Sequence, residues 1–385
     1  MREVRTDGTA EAIGRLSRSL AEALGGGPAV LPLDTRDPGA ERLRTAMRPE
    51  SPVEPGTAVI VPTSGSTGTR KGVLLSAEAL TASARATHDR LGGPGRWLLA
   101  TPAHYIGGLQ VLVRALLAGR EPAVLDLSAG FDVDAFTAAA AELCTGPGPY
   151  YTALVPTQLA RLVAAGGAAA AAAARFDAIV LGGAALPERL RVAARDAGIT
   201  AVPAYGMSET ASGCVYAGVP LAGVRVRIGV GERIEIAGPV LAHGYRLRPE
   251  LSERVFADGW FRTGDLGRLG PDGALDVLGR ADDMINTGGV KVSAAEVERV
   301  LGGRPGVAGC CVLGLPDPEW GESVTAVVVP ADPAAAGEAL RAELRAAVRA
   351  ELGAACVPKR LVYVAELPLR GPGKVDRAAL RGRIT

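Results

Sequence analysis

Lysine is nearly absent from this chain. Of its 42 basic residues only Lys71, Lys291, Lys359 and Lys374 are lysines, and everywhere else arginine carries the positive charge. A sequence so biased keeps a lysine where a compact ammonium serves and a planar guanidinium does not. Lys71, Lys291 and Lys374 each end or interrupt a glycine-rich segment, whereas Lys359, in Val-Pro-Lys-Arg, is left to chance. Other shortages exclude whole classes. The five cysteines (Cys144, Cys214, Cys310, Cys311 and Cys356) show neither metal-ligand spacing nor a disulfide framework, so they read as small buried hydrophobes in a reduced compartment. Three histidines, His88, His104 and His243, are too scattered for a metal cluster. A formal net charge of +1 and the lack of basic runs interleaved with aromatics argue against nucleic acid as a partner. The longest uncharged apolar run, Leu162 to Ala174, is too short and too rich in alanine and glycine to span a bilayer. The N-terminus has no apolar segment of the signal-peptide kind. A cytoplasmic protein without integral membrane contact is expected.

What the chain does have is a segment dense in hydroxyls and glycine, Pro62-Thr-Ser-Gly-Ser-Thr-Gly-Thr-Arg-Lys-Gly-Val73. Glycines let a backbone take positive φ and approach a ligand closely, and successive N–H groups and hydroxyls then converge on an anion. With Lys71 as a point charge the segment reads as a phosphate cradle. It is not the P-loop of kinases and GTPases, because Gly72 follows the lysine where that pattern needs Ser or Thr. A flexible surface loop would account for the glycines but not for the lysine.

From about residue 56 to 206 short apolar strands alternate with amphipathic helices. Strands are predicted at Ala58–Val61, Trp97–Ala100, Ala123–Leu127, Tyr151–Val155, Ala178–Leu181 and Ala201–Ala204. Helices are predicted at Ser76–Leu91, Gly108–Ala118, Val133–Leu143, Thr157–Ala165 and Pro187–Ala197. Such alternation implies mainly parallel, helix-covered sheets. Beyond Gly223 closely spaced strands with turn residues predict an antiparallel or barrel-like subregion. A second unit, from Arg280, reads helix, strand, strand, helix, strand; its long helix carries Leu340, Leu344, Val348 and Leu352 on one stripe. The fold class is therefore α/β: a large N-terminal domain, residues 1–279, and a small mobile α+β domain, residues 280–385.

Four further segments add chemistry. Glu209, in Tyr205-Gly-Met-Ser-Glu-Thr210, follows a predicted strand, where α/β sheets place ligands, and its carboxylate could hold Mg²⁺ against a triphosphate. Asp265, in Gly259-Trp-Phe-Arg-Thr-Gly-Asp-Leu266, could accept from both hydroxyls of a ribose. Gly279 to Lys291 lies at the domain junction, and Leu181-Gly-Gly-Ala184 offers exposed backbone beside a flat ligand. Each alone has an ordinary structural explanation. Their order and spacing together do not.

In that order the segments resemble the signature motifs of the adenylate-forming superfamily of acyl- and aryl-CoA synthetases, adenylation domains and beetle luciferase, over residues 56 to 380. The resemblance implies ATP, Mg²⁺ and the co-substrate CoA. It assigns Thr63, Ser64, Gly65, Ser66, Thr67, Gly68 and Lys71 to the phosphate loop, Tyr205 to adenine, and Gly182, Gly183 and Ala184 to the adenine and acyl carboxylate. Gly206, Met207, Ser208 and Lys291 join the nucleotide site, with Ser208 where the family usually has threonine. Glu209 matches the metal ligand, Asp265 and Arg280 the ribose contacts, Asp282 the hinge, and Lys374 the lysine required for adenylation. The N-terminal region is shorter than usual. In Thr101-Pro-Ala-His-Tyr-Ile-Gly-Gly108, histidine stands where the family usually has an aromatic and Tyr105 where it usually has histidine.

Within the superfamily, the compact length, the His104-Tyr105 pair and the Ile106–Leu112 run are similar to the short actinobacterial o-succinylbenzoate–CoA ligases of menaquinone synthesis. That implies a small carboxylic acid as substrate, with His104, Tyr105, Gly182 and Ser212 near it. Two alternatives stay open: another aryl- or acyl-CoA ligase, and an adenylating enzyme that loads a carrier protein. A homodimer also stays open.

Overall fold

A computed structural model describes residues 1–63, 71–370 and 374–384. They separate into two compact units, one of residues 1–185, 193–227 and 235–262, the other of residues 186–192, 228–234 and 263–385. No helix among the described residues is long and apolar enough to cross a membrane.

The first unit holds two sheets. In one, β1 (Arg2–Thr6), β2 (Val30–Asp34) and β3 (Val59–Thr63) run parallel, β4 (Lys71–Leu75) is antiparallel to β3, and the two-residue strand Gly244–Tyr245 closes the edge against β4. The second sheet has β5 (Arg96–Leu99), β6 (Ala123–Val124), β7 (Tyr150–Leu154), β8 (Ala178–Leu181), β9 (Ala201–Met207), β10 (Ser212–Tyr216) and β11 (Val219–Pro220). Its order is β11-β10-β9-β8-β7-β5-β6, parallel from β9 to β6 and antiparallel beyond. Every residue of β7 and β8 is buried, as a strand covered by helices on both faces requires.

The alternation read from the sequence is therefore present, with two differences. The strand predicted at Ala123–Leu127 is only Ala123–Val124. Ala58–Val61 does not join the parallel sheet of β5 to β9 but pairs in the other sheet, and the phosphate segment ends in a second strand, β4, before the helix. Val73, Leu74 and Leu75 are fully or almost fully buried. Only then does Ser76 cap the helix Ala77–Leu91, its hydroxyl accepting from the Ala79 N–H.

Closely spaced antiparallel strands follow Gly223 as predicted: Phe256–Ala257 against Trp260–Phe261 in the first unit, and Asp265–Leu269 against Leu275–Arg280 in the second. The second unit continues with a hairpin of Met284–Thr287 and Val290–Ser293. Gly288 and Gly289 turn it with φ of 58° and 80°, a pair of left-handed conformations that glycine adopts without penalty. Val307–Asp317 and Gly321–Pro330 form a long antiparallel pair, and Arg360–Tyr363 adds in parallel. Leu340, Leu344 and Val348 of the helix Glu338–Leu352 pack into this core with Val297, Val300 and Leu301 of the helix Ala294–Gly302. The Leu352 position of the predicted stripe is only partly buried.

All five cysteines are free thiols, buried or half-buried. Burial pushes the Cys214, Cys310 and Cys311 thiols up to about 12 and raises those of Cys144 and Cys356.

Candidate active site

Thr63 and Lys71 face each other as the last paired residues of β3 and β4, and the Thr63 hydroxyl donates to the Lys71 carbonyl at 3.4 Å. The hairpin thus fixes both ends of the phosphate segment. Ser64, Gly65, Ser66, Thr67 and Gly68 lie outside the described residues. Gly72 is a packing glycine, since a Cβ there would fall 2.4 Å from Met47 Sδ and 2.9 Å from Ile60 Cγ2.

Glu209 sits where the sequence predicts, just past the C-terminal end of β9 in a single 3₁₀ turn, Ser208–Thr210. The turn is tightly made. The Thr210 hydroxyl accepts from the Met207 N–H at 2.9 Å and lies 2.7 Å from the Ser212 carbonyl, to which it donates. Ser83 donates to the Ala211 carbonyl at 2.9 Å, and the Ala242 N–H to the Glu209 carbonyl at 2.8 Å. Ala211 and Ser212 take φ of 48° and 95°, conformations that side-chain-bearing residues hold only when their surroundings over-determine them. Gly206 has no alternative: a Cβ would fall 2.1 Å from the Ser212 carbonyl oxygen. Tyr205, opposite Val215 on β10, and Met207 are half-buried, and Ser208 is buried.

The Glu209 side chain is half-buried, and its Oε1 accepts from the Tyr245 hydroxyl at 2.8 Å. Lys71 Nζ stands 5.2 Å from the centroid of the same tyrosine ring, a cation–π contact. One side chain thus spans the predicted metal ligand and the predicted phosphate lysine. Among the described residues no three His, Cys, Asp or Glu gather into a metal cluster. A single carboxylate fits Mg²⁺, which keeps waters and substrate phosphates as most of its ligands.

Next to the second sheet, Gly182 continues from β8 with its N–H donating to the Leu154 carbonyl at 3.1 Å, and Gly183, at φ 86°, and Ala184 are exposed. His104 and Tyr105 part company. Tyr105 is 37% exposed and precedes the helix Ile106–Leu117. The His104 side chain is largely buried, its Nδ1 3.7 Å from Asp34 Oδ2 on β2. Burial pushes its pKa down to about 4, with Arg36 adding to the effect and Asp34 opposing it, so the imidazole is neutral at pH 7. Their rings are 4.1 Å apart. Ser212 is half-buried.

The second unit carries the remaining positions. Asp265 and Arg280 are cross-strand partners, and Arg280 Nη1 stands 3.5 Å from Asp265 Oδ1. The same guanidinium donates from Nε and Nη2 to both oxygens of Asp282, at 2.9 and 3.1 Å. Lys291 is exposed opposite Asn286. Lys374 pairs with Arg370 in a two-stranded ribbon that runs directly into the helix Arg377–Ile384, which Asp376 caps through the Ala379 N–H. Tyr245 escapes the sequence reading because its strand is two residues long, too short for a periodic pattern. Arg377, which bonds Glu298 at 2.5 Å, escapes because its partner is 79 residues away.

Comparison with known proteins follows the same division. The model described as AMP-binding enzyme matches residues 14–244, and that described as AMP-binding enzyme C-terminal domain matches residues 296–374. A probable 2-succinylbenzoate–CoA ligase of Mycobacterium tuberculosis is 48% identical over 367 residues, covering 94% of this chain and 93% of that protein. Among solved structures, an amide bond synthetase from Marinactinospora thermotolerans superimposes with a TM-score of 0.76 at 29% identity, over 98% of this chain and 77% of that one. The o-succinylbenzoate CoA synthetase of Bacillus subtilis, in complex with its acyl-adenylate intermediate, gives 0.73 at 25% identity, over 95% and 80%.

Proposed function

The chain belongs to the AMP-binding enzyme family, and on that premise we propose that it is an o-succinylbenzoate–CoA ligase acting in the cytoplasm in menaquinone synthesis. The observation that carries this reading is the 48% identity to the mycobacterial ligase over nearly the whole of both chains. The fold and the placement of Glu209 past β9 agree with it.

The reaction has two steps. An ionised substrate carboxylate attacks the α-phosphorus of ATP and forms an acyl adenylate as pyrophosphate leaves. The CoA thiol, losing its proton, then attacks the acyl carbon, and AMP leaves. No general base is needed for the first step, so the protein positions and stabilises charge. In this proposal residues 63–71 hold the leaving phosphates, Tyr205 and Gly182 to Ala184 flank the adenine, and Asp265 and Arg280 hold the ribose. Glu209 would hold Mg²⁺, which neutralises phosphate charge when bound. Lys374 stabilises the charge that develops between the acyl oxygen and the α-phosphate, and a domain of residues 280–385 rotates about Asp282 between the two steps.

A second carboxylate on the acid needs donors or water, because burying it unpaired costs several kcal/mol. Tyr105, Ser208 and Ser212 supply hydroxyls close to the proposed acyl site. Competition among o-succinylbenzoate, benzoate and a medium-chain fatty acid, scored as AMP release with and without CoA, tests the assignment. The highest kcat/KM is expected for o-succinylbenzoate; a higher value for either competitor overturns the narrow reading.

A further inference from the structure

We infer that Tyr245 is a positioning residue of the nucleotide site, orienting the Glu209 carboxylate so that one of its oxygens faces a divalent cation carried by ATP. The two-residue strand that bears it pairs with Leu74 and Val73 of β4, the strand that begins at Lys71. Tyr245 is held through both its backbone and its ring. Its own N–H donates to Ser252 Oγ at 2.8 Å, and its ring lies 5.7 Å from that of Phe256.

The next residue locks the strand. The Arg246 side chain is fully buried, and its guanidinium donates to the carbonyls of Met47, Arg48, Ser51 and Pro52 and to Glu54. Sliding this strand along β4 would break that set. From this fixed seat its hydroxyl reaches Glu209 Oε1 at 2.8 Å, while Lys71 rests over its ring. Among the described residues the other Glu209 oxygen has no hydrogen-bond partner. A carboxylate held by one oxygen and open at the other is the arrangement that outer hydrogen bonds give a metal-binding group, and losing such a bond costs about 10–100-fold in metal affinity.

Tyr245→Phe removes the hydroxyl and keeps the ring, so packing and the Lys71 contact remain. The measurement is ATP binding by isothermal titration calorimetry across a series of Mg²⁺ concentrations, with thermal unfolding beside it and no acid present. The Mg²⁺ concentration for half-maximal ATP binding should rise about tenfold or more, with the unfolding midpoint unchanged. Adding Glu209→Gln to Tyr245→Phe should then shift it no further than Glu209→Gln alone. A Tyr245→Phe titration that overlies the wild type overturns the inference. The inference rests on the ligase reading only for its ligand: a wrong acid leaves this result untouched, whereas wild-type protein that binds no ATP at any Mg²⁺ concentration overturns both.

Discussion

Arg280 grips Asp282 with two hydrogen bonds, at 2.9 and 3.1 Å, and places a third nitrogen 3.5 Å from Asp265. The proposed hinge residue and the proposed ribose acceptor thus share one guanidinium. The planar fork explains why arginine serves here, since a lysine could not make the paired contact.

Asp265→Ala should raise the KM for ATP about 10–100-fold, the worth of hydrogen bonds to a charged group, with a smaller change in kcat. Arg280→Met should raise it less. Because the two side chains touch, the double variant should lose less than the product of the single effects. Initial rates against ATP concentration give all three numbers, and strictly multiplicative effects would refute the shared arrangement.

Lys374→Ala should cut acyl-adenylate formation by roughly 10²–10³-fold or more. The same variant should still convert supplied acyl adenylate and CoA to thioester, because the proposed role of Lys374 belongs to the first step alone. ATP–pyrophosphate exchange and single-turnover thioester formation separate the two. An equal fall in both would refute the rotation.

Acid should destabilise the first unit before its carboxylates titrate. Burial, with Arg114 adding to it, pushes His88 down to about 4, and burial does the same at His104. Unfolded, both take a proton near pH 6.5; folded, they resist it, so the unfolded chain binds more protons between these values. Stability is complete above about pH 6.5 and falls towards pH 4, by up to roughly 3 kcal/mol for each histidine. Urea midpoints at pH 7.5 and pH 5 should differ less in His88→Phe than in the wild type. Equal differences would remove His88 from this account.

Arg246→Met should destabilise the first unit by about 3–5 kcal/mol, because it leaves Glu54 and four carbonyls without their donor. Denaturant unfolding measures it. A loss below about 1 kcal/mol, the scale of an exposed ion pair, would show that water replaces the guanidinium.

Legibility in the sequence followed pattern length. β8 was readable as an unbroken apolar run, β7 as a run broken only by Thr152, and the helix Glu338–Leu352 by its leucine and valine stripe. β1 was not, because Arg2-Glu-Val-Arg-Thr6 offers one apolar residue. β4 was not read as a strand either, because Val73-Leu-Leu75 is only three apolar residues between the glycine-rich segment and the helix predicted from Ser76. In the site, glycine and lysine chemistry pointed to Lys71 and to the turn at Glu209. Tyr245 depends on a partner 36 positions away, which no local pattern encodes. His104 and Tyr105 looked equivalent as neighbours, yet packing sends one towards Asp34 and leaves the other exposed.

The buried, high-pKa cysteines bear on how the second half-reaction can be followed. A thiol that stays protonated at neutral pH is a poor nucleophile, and burial raises the thiol pKa of all five cysteines here. A chromogenic disulfide added to the folded protein should therefore colour slowly, while free CoA reacts at once. Disappearance of the CoA signal then reports turnover directly, and a late rise in colour marks the moment the chain unfolds.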